Sequence, residues 1–188
     1  MKNKRIGIVT YFYFYNYGTM LQALATQLLF GKFNGVEAEV IDYRFGEKTI
    51  VSNLNLFKIR LRRLLVYIKE WKRVLATKKF AKDKQKRNVY FEQFVKKYIR
   101  TSNLTYYYDY EINNNPPSYD VYLTGSDQTW SPKIGFSPIL FLNFAPQKAI
   151  KAAYAPSLGV QSFSQEQVTY IQKELQKYDF ISCRESIG

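Results

Sequence analysis

The feature that most constrains the fold is a repeated change of period, from short β-branched runs to helical stripes and back. Arg5 to Thr10 (Arg-Ile-Gly-Ile-Val-Thr) has the apolar density of a strand buried on both faces. An aromatic loop from Tyr11 to Tyr17 follows and ends at Gly18. Thr19 to Phe30 then predicts a helix, with Leu21, Leu24, Ala25, Leu28 and Leu29 on its buried side. Glu39 to Tyr43 reads as a second strand, with Asp42 near its carboxyl end. Strand, helix, strand in that order predicts a parallel pair joined by a right-handed crossover. The pattern returns after the turn-rich Asn113 to Ser118. Tyr119 to Thr124 and Lys151 to Ala155 read as strands, and Phe180 to Cys183 as a third. Between the last two, Ser164 opens a helix running to Tyr178, with Gln167 at the capping-box position. The expected class is α/β, a Rossmann-like parallel sheet within one domain spanning 1–188.

Between the second strand and Asn113 the chain changes character. Of the formal net charge of +13, the stretch from Lys58 to Lys97 supplies nearly all, with fifteen Lys and Arg against Glu70, Asp83 and Glu92. Phe57, Leu61, Leu64, Ile68, Trp71 and Leu75 form one helical stripe, and Tyr90, Phe91, Phe94, Val95 and Tyr98 a second. Thr77 to Arg87 is lysine-rich and extends the helix as a solvated arm. The segment 56–100 is therefore expected to be a basic helical insertion. Its charge suits a solvated face, or a docking surface for an anionic partner such as acidic membrane headgroups or a polyprenyl-phosphate-linked glycan. Helix-turn-helix, zinc-finger and RNA-binding aromatic signatures are all absent from the sequence, so charge here supports only non-specific attraction to nucleic acid.

Composition removes several chemistries. The sequence holds no histidine and one cysteine, Cys183, which excludes Ser-His-Asp and Cys-His systems and any internal disulfide within these residues. A general acid or base here is Asp, Glu, Tyr, Lys or Cys. The 17 Tyr and 14 Phe suit a core and also a sugar-facing surface. No run reaches the ~18 apolar residues of a membrane span, and the basic N-terminus lacks the apolar stretch of a signal peptide. The expectation is a cytoplasmic protein, peripheral at most at the inner face of the membrane.

Ligands of open α/β sheets bind beyond the carboxyl ends of the strands, and four strand ends here carry polar or small residues. The first is Asn16-Tyr17-Gly18, with Gln22 a turn into the helix, where free N–H groups suit an anion. It lacks the spacing of a dinucleotide or phosphate loop. The second is Gly125-Ser126-Asp127-Gln128 with Trp130. Asp127 can take a proton from a sugar hydroxyl or orient one; a cap by Ser126 or Asp127 over a core Trp130 is the alternative. The third is Ser157-Leu158-Gly159, and the fourth Ser182-Cys183-Arg184-Glu185. Arg184 can fork onto phosphate or carboxylate, or pair with Glu185 or Asp127 to pin loops together.

In this order the motifs resemble the polysaccharide pyruvyl transferase family. The likeness runs through Ile8-Val9-Thr10, Asn16-Tyr17-Gly18 and Leu21-Gln22, then Tyr119-Asp120, Gly125-Ser126-Asp127-Gln128 and Trp130. It continues through Phe141-Leu142, Phe144-Ala145, Tyr154-Ala155, Ser157, Gly159, Ser182, Arg184-Glu185 and Gly188. The resemblance implies a transferase that moves the enolpyruvyl unit of phosphoenolpyruvate onto sugar hydroxyls, forming a ketal on a cell-surface glycan or its lipid-linked precursor. It implies no obligatory metal or organic cofactor. It also implies the N-terminal half of a two-domain, glycosyltransferase-B-like architecture, with donor-binding Arg and His in the other half. By that measure 1–188 is an incomplete unit, expected to be inactive alone. On the resemblance Asp127 is the catalytic candidate. Asn16, Tyr17, Gly18, Gln22, Gly125, Ser126, Gln128, Trp130, Ser157, Gly159, Arg184 and Glu185 are the substrate-binding ones. Two other readings stay open: a glycosyltransferase-like protein using a nucleotide sugar, and a non-catalytic module that docks glycan or membrane.

Overall fold

The structure, a computed structural model, describes residues 3–45 and 81–185. The first basic stripe, Phe57 to Leu75, lies outside the described residues. The elements in chain order are β1 (Lys4–Val9), α1 (Tyr17–Gly31), β2 (Val36–Tyr43), α2 (Ala81–Tyr98) and β3 (Thr101–Tyr106). After them come α3 (Asp109–Asn114), β4 (Val121–Thr124), β5 (Ile150–Tyr154), α4 (Gln165–Leu175) and β6 (Phe180–Ser182). The strands form one sheet in the order β3-β2-β1-β4-β5-β6, and every neighbouring pair is parallel. This is the strand order of a doubly wound Rossmann sheet, and it reverses direction between β1 and β4.

The central strands are apolar because both their faces are covered. On one face Ile6, Ile8, Val40 and Leu123 pack with Ala23 of α1 and with Phe94 and Val95 of α2. On the other, Val9, Ile41 and Tyr122 pack against Ile139, Leu140 and Ile112. Farther along that face Trp130 and Phe141 meet Ile171 of α4. The capping box that opens α4 forms as its sequence predicts. Ser164 Oγ accepts from the Gln167 amide at 3.3 Å, and Gln167 Oε1 accepts from the Ser164 amide at 2.9 Å.

Three features differ from the sequence reading or add to it. In α1 the buried residues are Met20, Ala23, Thr26 and Gln27, whereas Leu21 and Leu28 are more than half exposed and Ala25 is exposed. The polar members of that face decide the helix's rotation. Gln27 Nε2 donates to the Ala38 carbonyl at 3.2 Å, and its Oε1 accepts from the Arg100 amide at 3.1 Å. Turning the leucines inward would remove both bonds and leave the Arg100 amide without its Gln27 partner, which costs about 1–3 kcal/mol.

Secondly, the sequence reading has no strand at Thr101–Tyr106. This edge strand, Thr-Ser-Asn-Leu-Thr-Tyr, is mostly polar, with Asn103, Leu104 and Thr105 exposed, so it lacks the apolar run that marks the inner strands. Thirdly, α2 leads directly into β3, which pairs in parallel with β2. The helical part of 56–100 that is described therefore forms the crossover between two sheet neighbours, with Phe91 and Ile99 buried.

Candidate functional site

The loops after β1, β4, β5 and β6 gather at one edge of the sheet, around the reversal between β1 and β4. Thr10, just past β1, is buried and donates through Oγ1 to the Ser126 carbonyl at 2.7 Å. Gln22 of α1 reaches back through Nε2 to Thr10 Oγ1 at 2.9 Å and to the Tyr11 carbonyl at 2.8 Å. Helix α1, the β1 loop and the β4 loop are thus tied by one polar cluster. Gly125 is required where these loops meet. A Cβ on it would lie 3.0 Å from Thr10 Cβ and 3.2 Å from Ile8 Cγ2.

Asp127 stands at the centre of this edge. Its φ of 91° is the left-handed region, which a residue with a side chain holds only at about 1–3 kcal/mol of strain. The surrounding hydrogen bonds impose that conformation. The Ser157 amide donates to the Asp127 carbonyl at 2.8 Å, and Asp127 makes an isolated parallel bridge with Pro156. Its carboxylate accepts from its neighbour's amide, Gln128 N, at 2.8 Å and from Thr19 Oγ1 at 3.2 Å. The Asp127 side chain is therefore aimed across the reversal toward the first turn of α1, where the positive end of the helix dipole favours negative charge nearby. Tyr11 lies beneath, and burial, followed by the charge of Asp127, pushes its phenol up to about 12.

The β5 and β6 loops close on Glu185. Ser157 Oγ donates to Glu185 Oε1, and the Leu158 amide donates to Oε2 at 3.4 Å. Cys183 Sγ lies 3.4 Å from Oε2 and from the Pro156 carbonyl. Burial alone would raise the Glu185 carboxyl, but the hydrogen bonds from Ser157, Cys183 and the Leu158 amide hold it below its ordinary range. Arg184 is half exposed, 3.9 Å from Glu185, and its amide donates to the Pro156 carbonyl at 3.1 Å. Gly159 has a φ of 64°, and a Cβ there would come within 3.1 Å of Ser131 Oγ.

All the residues singled out from the sequence lie at this edge except Trp130, but they do different things. Asp127, Ser126, Gln128 and Arg184 keep some exposure. Asn16 is the N-cap of α1 and accepts from the Thr19 amide at 3.2 Å. Tyr17 and Gly18 belong to the first helical turn, and the Tyr17 ring rests 4.6 Å from Phe91. Gln22 holds loops together, its Nε2 donating inward to Thr10 Oγ1 and the Tyr11 carbonyl. Ser157 and Glu185 serve each other. Trp130 is a core residue, 1% exposed, stacked on Phe141 at 5.6 Å, with Nε1 donating to the Leu140 carbonyl at 3.3 Å. The sequence reading missed Thr10 as a tie and Thr19 as the partner of Asp127; a hydroxyl in the first turn of a helix that faces an acidic loop was the available signal. Asp42, which in a dinucleotide-binding sheet would reach a ribose, is buried and accepts from Thr105 Oγ1 at 2.8 Å and Arg44 Nη2 at 2.9 Å. It is occupied within the protein.

A six-stranded parallel α/β sheet in this strand order defines a Rossmann-like protein, with a candidate site at its carboxyl edge. The chain belongs to the polysaccharide pyruvyl transferase family, whose family model matches residues 16–188. No curated protein and no solved structure matches it.

Proposed function

We propose that the protein transfers the pyruvyl unit of phosphoenolpyruvate to a sugar of a polysaccharide or of its lipid-linked precursor. What supports this most, in a chain of this family, is the carboxylate of Asp127, held on strained backbone beyond β4 and facing the first turn of α1. In the proposed reaction two hydroxyls of one sugar bond to the central carbon of phosphoenolpyruvate. Asp127 takes the proton of an attacking hydroxyl as general base. One proton ends on the methylene carbon, which becomes a methyl group. The bond from the central carbon to the phosphate oxygen breaks, and inorganic phosphate leaves with the electron pair and the other hydroxyl proton. Gln128 and Asn16, exposed at the same edge, contact sugar hydroxyls. Arg184 offers a forked donor to a carboxylate or phosphate.

The test is incubation of the protein, as its gene encodes it, with phosphoenolpyruvate and a glycan acceptor. The expected products are one phosphate per ketal and a new methyl resonance on the glycan. Asp127→Asn is expected to slow the reaction about 100-fold or more. Thermal stabilisation by nucleotide sugars together with none by phosphoenolpyruvate would reject the reading. A true donor at a hundredfold excess over its dissociation constant stabilises by about 2.7 kcal/mol.

A further inference from the structure

The leucines that α1 turns outward are not scattered. Tyr17, Leu21, Leu24 and Leu28 recur at four- and three-residue spacing, so they lie along one side of the helix. Tyr17 is 69% exposed, Leu21 54% and Leu28 63%. Alongside the start of this stripe, α2 sets Arg87, Tyr90 and Phe91, and an apolar cavity of about 200 Å³ opens between the two helices. Tyr90 is 70% exposed and Val89 45%. The Arg87 guanidinium sits 6.0 Å from the centre of the Phe91 ring, at the rim of the cavity. Lys86 and Lys97 are exposed on the same helix, while Lys96 lines a second, polar pocket with Glu92. An apolar cavity flanked by exposed leucine and tyrosine, with a guanidinium in its wall, is uncommon on a protein that keeps to water. Aromatic rings with Lys and Arg around them are the composition of a helical surface lying in a lipid interface. The charge sign selects the lipid, because α2 itself carries six Lys and Arg against Asp83 and Glu92.

We propose that the α1–α2 groove seats the protein on an anionic phospholipid surface, with Leu21 and Tyr90 entering the interface and Arg87 meeting lipid phosphate. Among the described residues no helix is long and apolar enough to cross a membrane, and the contact proposed is with the surface. It is independent of the transfer reaction, and it would place the mouth of the candidate site, one helical turn away at Asn16 and Thr19, beside the bilayer.

The experiment is sedimentation with vesicles of phosphatidylglycerol and phosphatidylcholine, against vesicles of phosphatidylcholine alone. Wild-type protein is expected to bind the anionic vesicles at least tenfold more tightly. That preference should collapse when ionic strength rises from ~0.1 M to ~1 M and the screening length falls from about 10 Å to about 3 Å. Leu21→Gln and Tyr90→Gln, at exposed positions, should each weaken binding to anionic vesicles about three- to tenfold without lowering the melting temperature. Lys173→Gln, on the far face of the sheet, should leave binding unchanged. Equal binding to both vesicle types would overturn the proposal, as would binding that neither apolar variant weakens. A fall in melting temperature without loss of vesicle binding would show that the groove is covered by the protein itself. Tighter binding to double-stranded DNA than to the anionic vesicles would assign the surface to nucleic acid instead.

Discussion

Substituting Gly125 by alanine tests whether the contact of the β1 and β4 loops shapes the site. The added methyl would sit 3.0 Å from Thr10 Cβ and 3.2 Å from Ile8 Cγ2, inside the ~3.5–4.0 Å at which carbon atoms attract. Neither neighbour can step aside. Ile8 is fully buried in the centre of the sheet, and Thr10 is held by the Ser126 carbonyl at 2.7 Å and by Gln22 at 2.9 Å. Relief therefore requires the two strand ends to part by a few tenths of an ångström. Overpacking of this kind costs about 1–3 kcal/mol. In a chain of this size each kcal/mol lowers the melting temperature by roughly 2–4 °C, so Gly125→Ala should melt about 2–12 °C below wild type in a calorimetric scan. The displacement passes to Asp127, two residues on, and catalysis should fall more than stability does. Gly18→Ala is the contrast. Gly18 lies in the first turn of α1, with only Asn16 Oδ1 at 3.3 Å, and the change should be neutral or slightly stabilising. A Gly125→Ala protein melting within a degree of wild type would refute the reasoning.

Glu185 gives a pH signature. Its carboxyl titrates below its ordinary value of 4.5, so the stability it supplies is complete above that value and drains away as pH falls through its folded value. Melting curves of wild type and Glu185→Gln should therefore differ at neutral pH and converge in acid; parallel curves through the acid range would remove the role. Trp130→Ala should cost about 3–5 kcal/mol, as deletion of a packed core aromatic does, read by chemical denaturation. A stable Trp130→Ala protein that has lost only glycan binding would return Trp130 to the site. Asp127→Asn, by contrast, should change stability by less than about 1 kcal/mol, because Oδ1 is kept, while turnover falls as proposed above.

Much of the sheet was legible from sequence because its inner strands are covered on both faces. Ile6-Gly7-Ile8-Val9 and Val40-Ile41 announce themselves by apolar density alone. The edge strand β3 was not, since Thr-Ser-Asn-Leu-Thr-Tyr is the composition of a loop and only its pairing with β2 makes it a strand. The rotation of α1 was misread for a related reason. Periodicity places leucine inside, but Gln27 is bound to two backbone groups that only tertiary structure brings near. In the site, the clustering of the four loops followed from strand ends and parallel order. The division of labour did not follow. Asp127 and Glu185 are both acids at strand ends, and only their partners reveal that one faces α1 while the other locks the β5 and β6 loops. Trp130 was open to two readings, a substrate contact or a core ring under a capped turn, and its stacking on Phe141 places it in the core.

The parallel order also dictates when the site can come into being. The bond from Thr10 to the Ser126 carbonyl spans 116 residues, and that from Thr19 to Asp127 spans 108. Pairing of β1 with β2 needs only the short loop and helix between them, whereas β4 reaches β1 after the whole α2–β3 crossover has been laid down. Closing so long a loop is entropically unfavourable until the contacts that reward it exist. The reversal between β1 and β4 is therefore expected to close late. On that expectation the carboxylate of Asp127 comes to face α1 only as the central sheet is completed, and the candidate site and the sheet form together.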